Sequence, residues 1–182
     1  YNLGDIGGDG VRGGIAANIT KVVFGLNKDH ADITSSYTGT LVDVEQDNEI
    51  YVHYVPNGTN YDIYFLSDGP IYAPANSAEL FIGMSSLVKV DTANLDVSRV
   101  TDMYKMFRDC TSLTTIDVSD WDTSNVTSMN GTFFYCQSID GLDVSNWDVS
   151  KVTNMYAMFY DCKELSALDV SEWDVGSVTI ME

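Results

Sequence analysis

The chain of 182 residues is 45% hydrophobic, so it can bury a core of one or two domains. Nine Lys and Arg residues against 27 Asp and Glu residues leave a net charge of −18, and such a chain repels nucleic-acid phosphates and anionic membrane surfaces. No apolar run approaches the roughly 18 residues of a membrane-spanning helix, so we expect no membrane insertion within this chain.

Residues 1–17 are rich in glycine, and we predict that they form a flexible leader. The stretch Gly8–Gly13 fits the GxGxxG pattern of dinucleotide-binding loops, but such a loop must follow a strand, and only a short segment precedes this one. The overlapping stretch that starts at Asp5 resembles the first half of an EF-hand calcium loop, with Ala16 where the calcium-binding Glu belongs. We predict no cofactor here and keep a calcium loop as the alternative.

Residues 18–77 are β-rich. Runs of β-branched and aromatic residues alternate with turn-forming clusters of Pro, Gly, Asn and Asp, which is typical of strands joined by tight turns. The runs are Ile19–Phe24, Thr40–Val44, Ile50–Val55 and Tyr61–Leu66. We predict a small antiparallel sheet that caps the apolar end of the following region. The alternative is an independent β-domain joined near Pro74.

Residues 78–182 contain a sequence repeat. Cysteines stand 26 residues apart at Cys110, Cys136 and Cys162. Tryptophans keep the same spacing at Trp121, Trp147 and Trp173. We predict about four units, the first with Met84 at the cysteine position and the last truncated at the C-terminus as part of a longer protein. A phrase that recurs in every unit indicates structure, since a catalytic motif is needed only once.

Each unit carries two hydrophobic periods in succession. Around Ile116–Ser119 apolar and polar residues alternate, which is typical of a short strand with Ile and Val inward. Val126, Met129 and Phe133 then follow with the spacing of one helical face, after an Asp-Thr-Ser-Asn stretch suited to cap a helix. We predict an α/β repeat solenoid with one short strand and one short helix per unit, whose stacked units share one core.

The cysteines and tryptophans are predicted to face this core. Three cysteines cannot pair completely, and equivalent positions in stacked units lie too far apart for a disulfide, so we interpret them as small buried hydrophobic residues. The chain has no CxxC or Cys/His cluster, and we predict no metal site. Rows of tryptophans could also stack on sugars, but their inward position in the unit favours core packing.

The repeat carries a family resemblance. Leu113, Ile116 and Val118 follow the leucine-rich-repeat frame LxxLxLxxN, with Trp121 at the Asn position. The phrase LDVSxWDxSxVTxMxxMFxxC resembles the repeat of bacterial BspA-like leucine-rich-repeat surface proteins and of mycoplasma surface lipoproteins, over residues 78–182. This resemblance implies a right-handed, leucine-rich-repeat-like solenoid in an exported protein of the bacterial cell surface. In place of the missing Asn ladder, we hypothesise that three aspartates bond the turn backbone: Asp122, Asp148 and Asp174.

The outward strand positions are the candidate ligand face, because leucine-rich repeats commonly bind through the sheet. The residues are Asp91, Thr115, Asp117, Ser119, Asp120, Asp143, Ser145, Asn146, Asp169, Ser171 and Glu172. One aspartate per unit would form a column of like charges, which repel one another at strand spacing. A solvated acidic ladder is the favoured interpretation, and weak binding of a cation or a basic partner is the alternative.

No pattern in the chain predicts catalysis. His30 and His53 lie in different segments without a nucleophile nearby, and no triad or phosphate-binding loop stands out, so we predict no enzyme. The resemblance to bacterial surface proteins implies an extracellular interaction or adhesion module that binds a protein or glycan on a host or cell surface. The alternative is a structural spacer that positions other domains, and the small, acidic strand face favours it over adhesion, since binding faces are rich in aromatic and Arg residues.

Overall fold

The computed structural model describes residues 16–30, 33, 37–41 and 49–182. The predicted leader at 1–17, with its GxGxxG and calcium-loop stretches, falls almost wholly outside them. The strands in the described residues are β1 (Ile19–Leu26), β2 (Tyr37–Leu41), β3 (Ile50–Asn57), β4 (Asn60–Ser67), β5 (Ile71–Tyr72), β6 (Lys89–Asp91), β7 (Leu95–Asp96) and β8 (Thr115–Ile116). Two 3-10 turns, Ala16–Asn18 and Asn27–Asp29, flank β1.

A mixed sheet joins the N-terminal region to the repeats. Its strand order is β2-β3-β4-β1-β6-β8, with β2, β3 and β4 antiparallel and β1, β6 and β8 parallel to β4. The predicted purely antiparallel cap is therefore wrong, because β1 lies between β4 and β6 and pairs with both in parallel. The sheet is therefore shared between the N-terminal region and the first two repeats. A second, two-stranded sheet pairs β5 with β7.

The predicted α/β solenoid with a helix in every unit, similar to leucine-rich repeats, is wrong. The described residues contain no α-helix, and the fold there is β-rich, with short strands and turns. For description, the repeats are numbered unit 1 (78–103), unit 2 (104–129), unit 3 (130–155) and unit 4 (156–182).

The segment predicted as helix forms a series of tight turns. The N–H groups of Met129, Gly131, Phe133 and Tyr135 donate to carbonyl groups of the next unit at 2.8–2.9 Å. The N–H groups of Thr132 and Phe134 instead close turns on the carbonyl three residues earlier. A helix would instead bond every N–H within the segment. Left-handed φ values of 62° at Gly131 and Tyr135 interrupt the helical backbone. The equivalent left-handed residues in other units are Glu79, Gly83, Lys105, Asp109, Ala157 and Asp161.

Backbone hydrogen bonds connect each unit to the next. Thr127 donates its N–H and its hydroxyl to the carbonyl of Thr101, 26 residues earlier, at 2.8 and 3.0 Å. Thr101, Thr153 and Thr179 repeat both bonds, and a row of parallel bridges runs beside them. The units therefore stack with equivalent residues above one another.

Aromatic rings and thiols fill the interior of this stack. Phe81, Phe107 and Phe133 stack with ring centroids 4.8 and 5.3 Å apart, and Trp121 stacks on Trp147 at 6.1 Å. Trp121 and Trp147 are 6% and 3% exposed, which confirms that these tryptophans pack in the core. The three cysteines are free, as predicted, and each thiol donates to a carbonyl of the preceding unit at 3.1–3.2 Å. Burial of the cysteines decreases towards unit 4, where Cys162 is only partly buried.

Candidate functional site

The predicted ligand face lies at the surface. In units 2 and 3 its residues lie beside buried positions, as with exposed Asp117 between buried Ile116 and Val118, whereas in unit 4 the intervening Val170 is itself exposed. The acidic face is the name used below for Asp91, Thr115, Asp117, Ser119, Asp120, Asp143, Ser145, Asn146, Asp169, Ser171 and Glu172. All of these residues are exposed or partly exposed.

The aspartates of the acidic face build the turns on which they stand. Asp117 accepts hydrogen bonds from the N–H and hydroxyl of Ser119 at 3.2 and 2.7 Å, and Asp143 accepts the same pair from Ser145. The bonds from Ser119 favour the charged carboxylate and hold the pKa of Asp117 below its usual value. Each aspartate of this column therefore has part of its hydrogen bonding satisfied within its own turn. Because of these bonds, like charges can lie one unit apart.

The aspartates next to the tryptophans take the role that we hypothesised for them. Asp122, Asp148 and Asp174 accept the backbone N–H two residues later at 3.1, 2.9 and 3.0 Å. These Asx turns close the chain locally within each unit and do not connect one unit to the next. The hydrogen bonds from Ser124 and Ser150 lower the pKa values of Asp122 and Asp148.

Cation binding by the acidic face stays a prediction. Across the described ranges, no group of three or more His, Cys, Asp and Glu side chains is arranged to hold a metal ion. Equivalent aspartates stand in separate units, and each accepts bonds from its own turn.

Four residues of the acidic face surround a pocket between units 1 and 2. Asp91 lies on unit 1, and Thr115, Asp117 and Asp120 lie on unit 2, around a cavity of about 570 Å³. Buried Trp121 forms part of its wall. The structure thus brings together the first two units of the predicted face around one concave site.

A second surface, which the sequence analysis missed, carries aromatic and arginine side chains. The aromatic face is defined as Arg108, Phe134, Tyr135 and Tyr160. The Arg108 guanidinium lies 4.9 Å from the Phe134 ring centroid, Phe134 stacks on Tyr160 at 5.1 Å, and Tyr135 packs against both rings. Tyr160 is 57% exposed, so the column ends in an accessible ring.

The turns of the repeat place these side chains outward. Phe133 points into the core, and Phe134 follows it on the outer side, just before the left-handed residue Tyr135. A helix prediction hides this surface, because it assigns the segment a single buried stripe. The available signal was the column that follows each core phenylalanine at 26-residue spacing: Ile82, Arg108, Phe134 and Tyr160.

The two histidines lie on different elements. His30 follows the 3-10 turn after β1 and packs edge-on against Tyr64, while His53 lies in β3. Partial burial lowers the pKa of His53. Within the described part of the chain, no helix is long and apolar enough to cross a membrane.

Comparison with known proteins places the repeats in a family. Residues 75–182 match the model of a family described as "Mycoplasma protein of unknown function, DUF285". No curated protein and no solved structure matches the chain.

Proposed function

The chain belongs to this Mycoplasma family of unknown function, and from the geometry of its repeats we propose a non-enzymatic interaction module that binds a protein partner through the aromatic face. The proposed location is the bacterial cell surface. It is supported by the resemblance of the repeat to BspA-like surface proteins and to mycoplasma surface lipoproteins.

The stacked Arg108, Phe134 and Tyr160 column is the observation that carries this proposal. Tyr and Arg are the residues most enriched among interface hot spots, and aromatic side chains supply large contact areas. Stacking holds these side chains in place before binding, so less side-chain entropy is lost when a partner docks. A solvated spacer has no need for such a cluster.

The net charge of the chain limits which protein surfaces it can bind. The net charge of −18 disfavours an acidic partner and favours a neutral or basic protein surface, whose approach the field would accelerate. On the aromatic face, Arg108 pairs with Asp109 at 3.1 Å, so its charge is partly balanced within the chain.

The ladder between units supports the alternative function of a spacer. Every junction repeats the threonine bonds and the parallel bridges, which gives a stack of regular and rigid geometry. A spacer would use this regularity to position other domains and would bind nothing itself.

A binding assay separates the two functions. The purified chain is applied to immobilised extracellular-matrix proteins and to fixed mammalian cells, beside a variant with Phe134→Ser and Tyr160→Ser. Binding by the wild type and a loss of about ten-fold or more in the variant are expected, since the substitutions remove two central rings. Circular dichroism of both proteins verifies that the variant is folded.

A matched control uses the acidic face. The variant with Asp143→Ala and Asp169→Ala changes two exposed residues of the same units and should bind like the wild type. Equal binding by the aromatic-face variant would overturn the proposal. Binding of the wild type to none of these surfaces would support the spacer instead.

A further inference from the structure

The end of the stack formed by unit 4 exposes residues whose equivalents in unit 3 are buried. Val144 and Val149 of unit 3 are each 1% exposed, whereas Val170 and Val175, at the same positions of unit 4, are 42% and 43% exposed. Met181 is 57% exposed. The end face is defined as Phe159, Val170, Trp173, Val175 and Met181. An exposed apolar surface of this kind indicates an interaction site.

Backbone N–H groups at the end face also lack the acceptors that they have in unit 3. The N–H groups of Phe133 and Tyr135 donate to carbonyls of unit 4 at 2.9 and 2.8 Å. Those of Phe159 and Asp161, at the equivalent positions, bond to no backbone carbonyl of the described residues. Open donors beside an apolar surface form a template on which a further segment can add.

The junctions within the stack show what covers such a face. Unit 4 makes three side-chain hydrogen bonds to carbonyls of unit 3: Trp173 to Val144, Cys162 to Phe133 and Thr179 to Thr153, at 3.0, 3.1 and 3.0 Å. Unit 3 makes the same three bonds to unit 2. The carbonyls of unit 4 that accept no such bond from the described residues are those of Val170, Phe159 and Thr179. A segment with the repeat sequence therefore carries the groups that fit this face.

We propose that the end face binds a separate polypeptide segment that carries the repeat phrase and adds to the stack as a further unit. Its tryptophan stacks on Trp173 and donates to the Val170 carbonyl, and its cysteine and threonine donate to the carbonyls of Phe159 and Thr179. Burial of Val170 and Val175 supplies most of the driving force. The site is separate from the aromatic face and does not depend on the function proposed for it.

A second copy of the whole chain fits the end face less well. The opposite end of its stack is covered by β1, which pairs with β6 and packs Phe24 against Phe81 with ring centroids 6.2 Å apart. Two copies joined through their end faces would oppose the same N–H donors, and each copy carries a net charge of −18. A single repeat segment has no covered side and a smaller charge.

The test titrates the chain with a fluorescein-labelled peptide that has the sequence of residues 156–182, and fluorescence anisotropy measures binding. The repeat peptide should bind with a Kd of about 100 µM or lower, a modest affinity because the segment must fold as it binds. A scrambled peptide of the same composition should bind at least about ten-fold more weakly. At saturating repeat peptide, hydrogen exchange of the Phe159 and Asp161 amides should slow by about ten-fold or more.

A variant of the end face locates the bound peptide. Val170→Asp combined with Val175→Asp should weaken binding of the repeat peptide about ten-fold or more, because it places two charges in the apolar contact. Val88→Asp is the matched control, since Val88 is 44% exposed on unit 1, and it should bind the peptide like the wild type. Circular dichroism of both variants verifies that they are folded.

Sedimentation velocity of the chain alone at about 50 µM tests the other occupant, and a monomer is expected. The proposal is overturned if the repeat peptide binds no better than the scrambled one, or if the end-face variant binds it like the wild type. It is also overturned if the wild type dimerises and the end-face variant does not, because the face then takes a second copy of the chain.

Discussion

At the residue scale, left-handed backbone at two positions of every unit distinguishes this repeat from a helical one. Tyr135, Asp109 and Asp161 share one of these positions with Gly83, although a side chain in this region is strained. The strain at Asp109 and Tyr135 is tolerated because the backbone N–H of each residue bonds to a carbonyl of the next unit. Asp161 is followed instead by the turn that ends at Cys162. Gly131 relieves the strain at the other position in unit 3.

A pair of glycine substitutions tests this strain. Gly131→Ala should destabilise the chain by about 1–2 kcal/mol, since φ is +62° there and the new Cβ would meet Lys105 at 3.3 Å. Gly141→Ala, in open space without a left-handed φ, should be neutral or stabilising by up to about 1 kcal/mol. Urea denaturation of both variants measures the difference, and effects of equal sign and size would contradict the assignment.

The depressed pKa of Asp117 predicts a pH dependence that Ser119 controls. A carboxyl whose pKa is lowered by folding stabilises the folded state above its unfolded pKa of about 4, and this stabilisation is lost as pH falls through the folded-state pKa. Ser119→Ala should raise the pKa of Asp117 towards its usual value. The free energy of unfolding of Ser119→Ala should be lower than that of the wild type near neutral pH and equal to it in strong acid.

Carboxyl-carbon NMR titration of Asp117 and urea denaturation at several pH values measure the two effects. Ser150→Ala is the control, because it should raise the pKa of Asp148 and leave that of Asp117 unchanged. An Asp117 titration curve identical in Ser119→Ala and wild type would refute the role of the serine.

At the element scale, regular strands form only in units 1 and 2, so the predicted strand in every unit is only partly right, and the turn half of the unit was not predicted at all. The alternation of apolar and polar residues correctly predicted that Ile116 and Val118 face the core. Such a two-residue period indicates an extended segment with one buried face. The spacing of Met129, Phe133 and Cys136 fits both a helix and a series of three-residue turns, and all three side chains are buried here. Local spacing cannot show that alternate N–H groups bond to the next unit, since that choice depends on a neighbour 25 residues away.

The candidate sites likewise include one surface that the sequence predicted and one that it did not. Strand alternation located the surface positions of the acidic face, whereas the aromatic face stayed hidden inside a predicted helix. The pocket beside Trp121 could not be predicted, because its walls come from two units that become neighbours only in the folded stack.

The tryptophan stack predicts the cost of removing one ring. Trp147→Ala should lower the free energy of unfolding by about 3–5 kcal/mol, the usual range for truncating a buried aromatic residue, since Trp147 is 3% exposed and stacks on Trp121. Urea denaturation monitored by far-UV circular dichroism gives this value. Asp143→Asn, on the acidic face, should change stability by less than about 0.5 kcal/mol. A large loss in that control would reveal a buried role for the carboxylate.

At the scale of the whole molecule, burial decreases from the N-terminal sheet towards unit 4, and the thiols report it. Burial raises the pKa of all three cysteines, that of Cys162 to about 11. Only roughly one in a thousand Cys162 side chains is therefore a thiolate at a pH of about 8. We expect no labelling of Cys110 and Cys136 by iodoacetamide in the native protein, slow labelling of Cys162, and rapid labelling of all three in urea.

Peptide mass spectrometry of the labelled chain distinguishes the three sites. Equal labelling of the cysteines before urea is added would show that units 2 and 3 open as readily as unit 4.

The constant 26-residue step of the threonine bonds sets a rule for how such a chain can change length. Excising or duplicating one whole period rejoins equivalent atoms, so recombination between copies would preserve the interior while reshuffling which outward side chains become neighbours. A deletion that differs from a whole period by a single residue would shift the register and place an aspartate at the position of a tryptophan. The fold thus tolerates changes in the number of repeats but not changes in their register. The surface residues can therefore vary while the core stays the same.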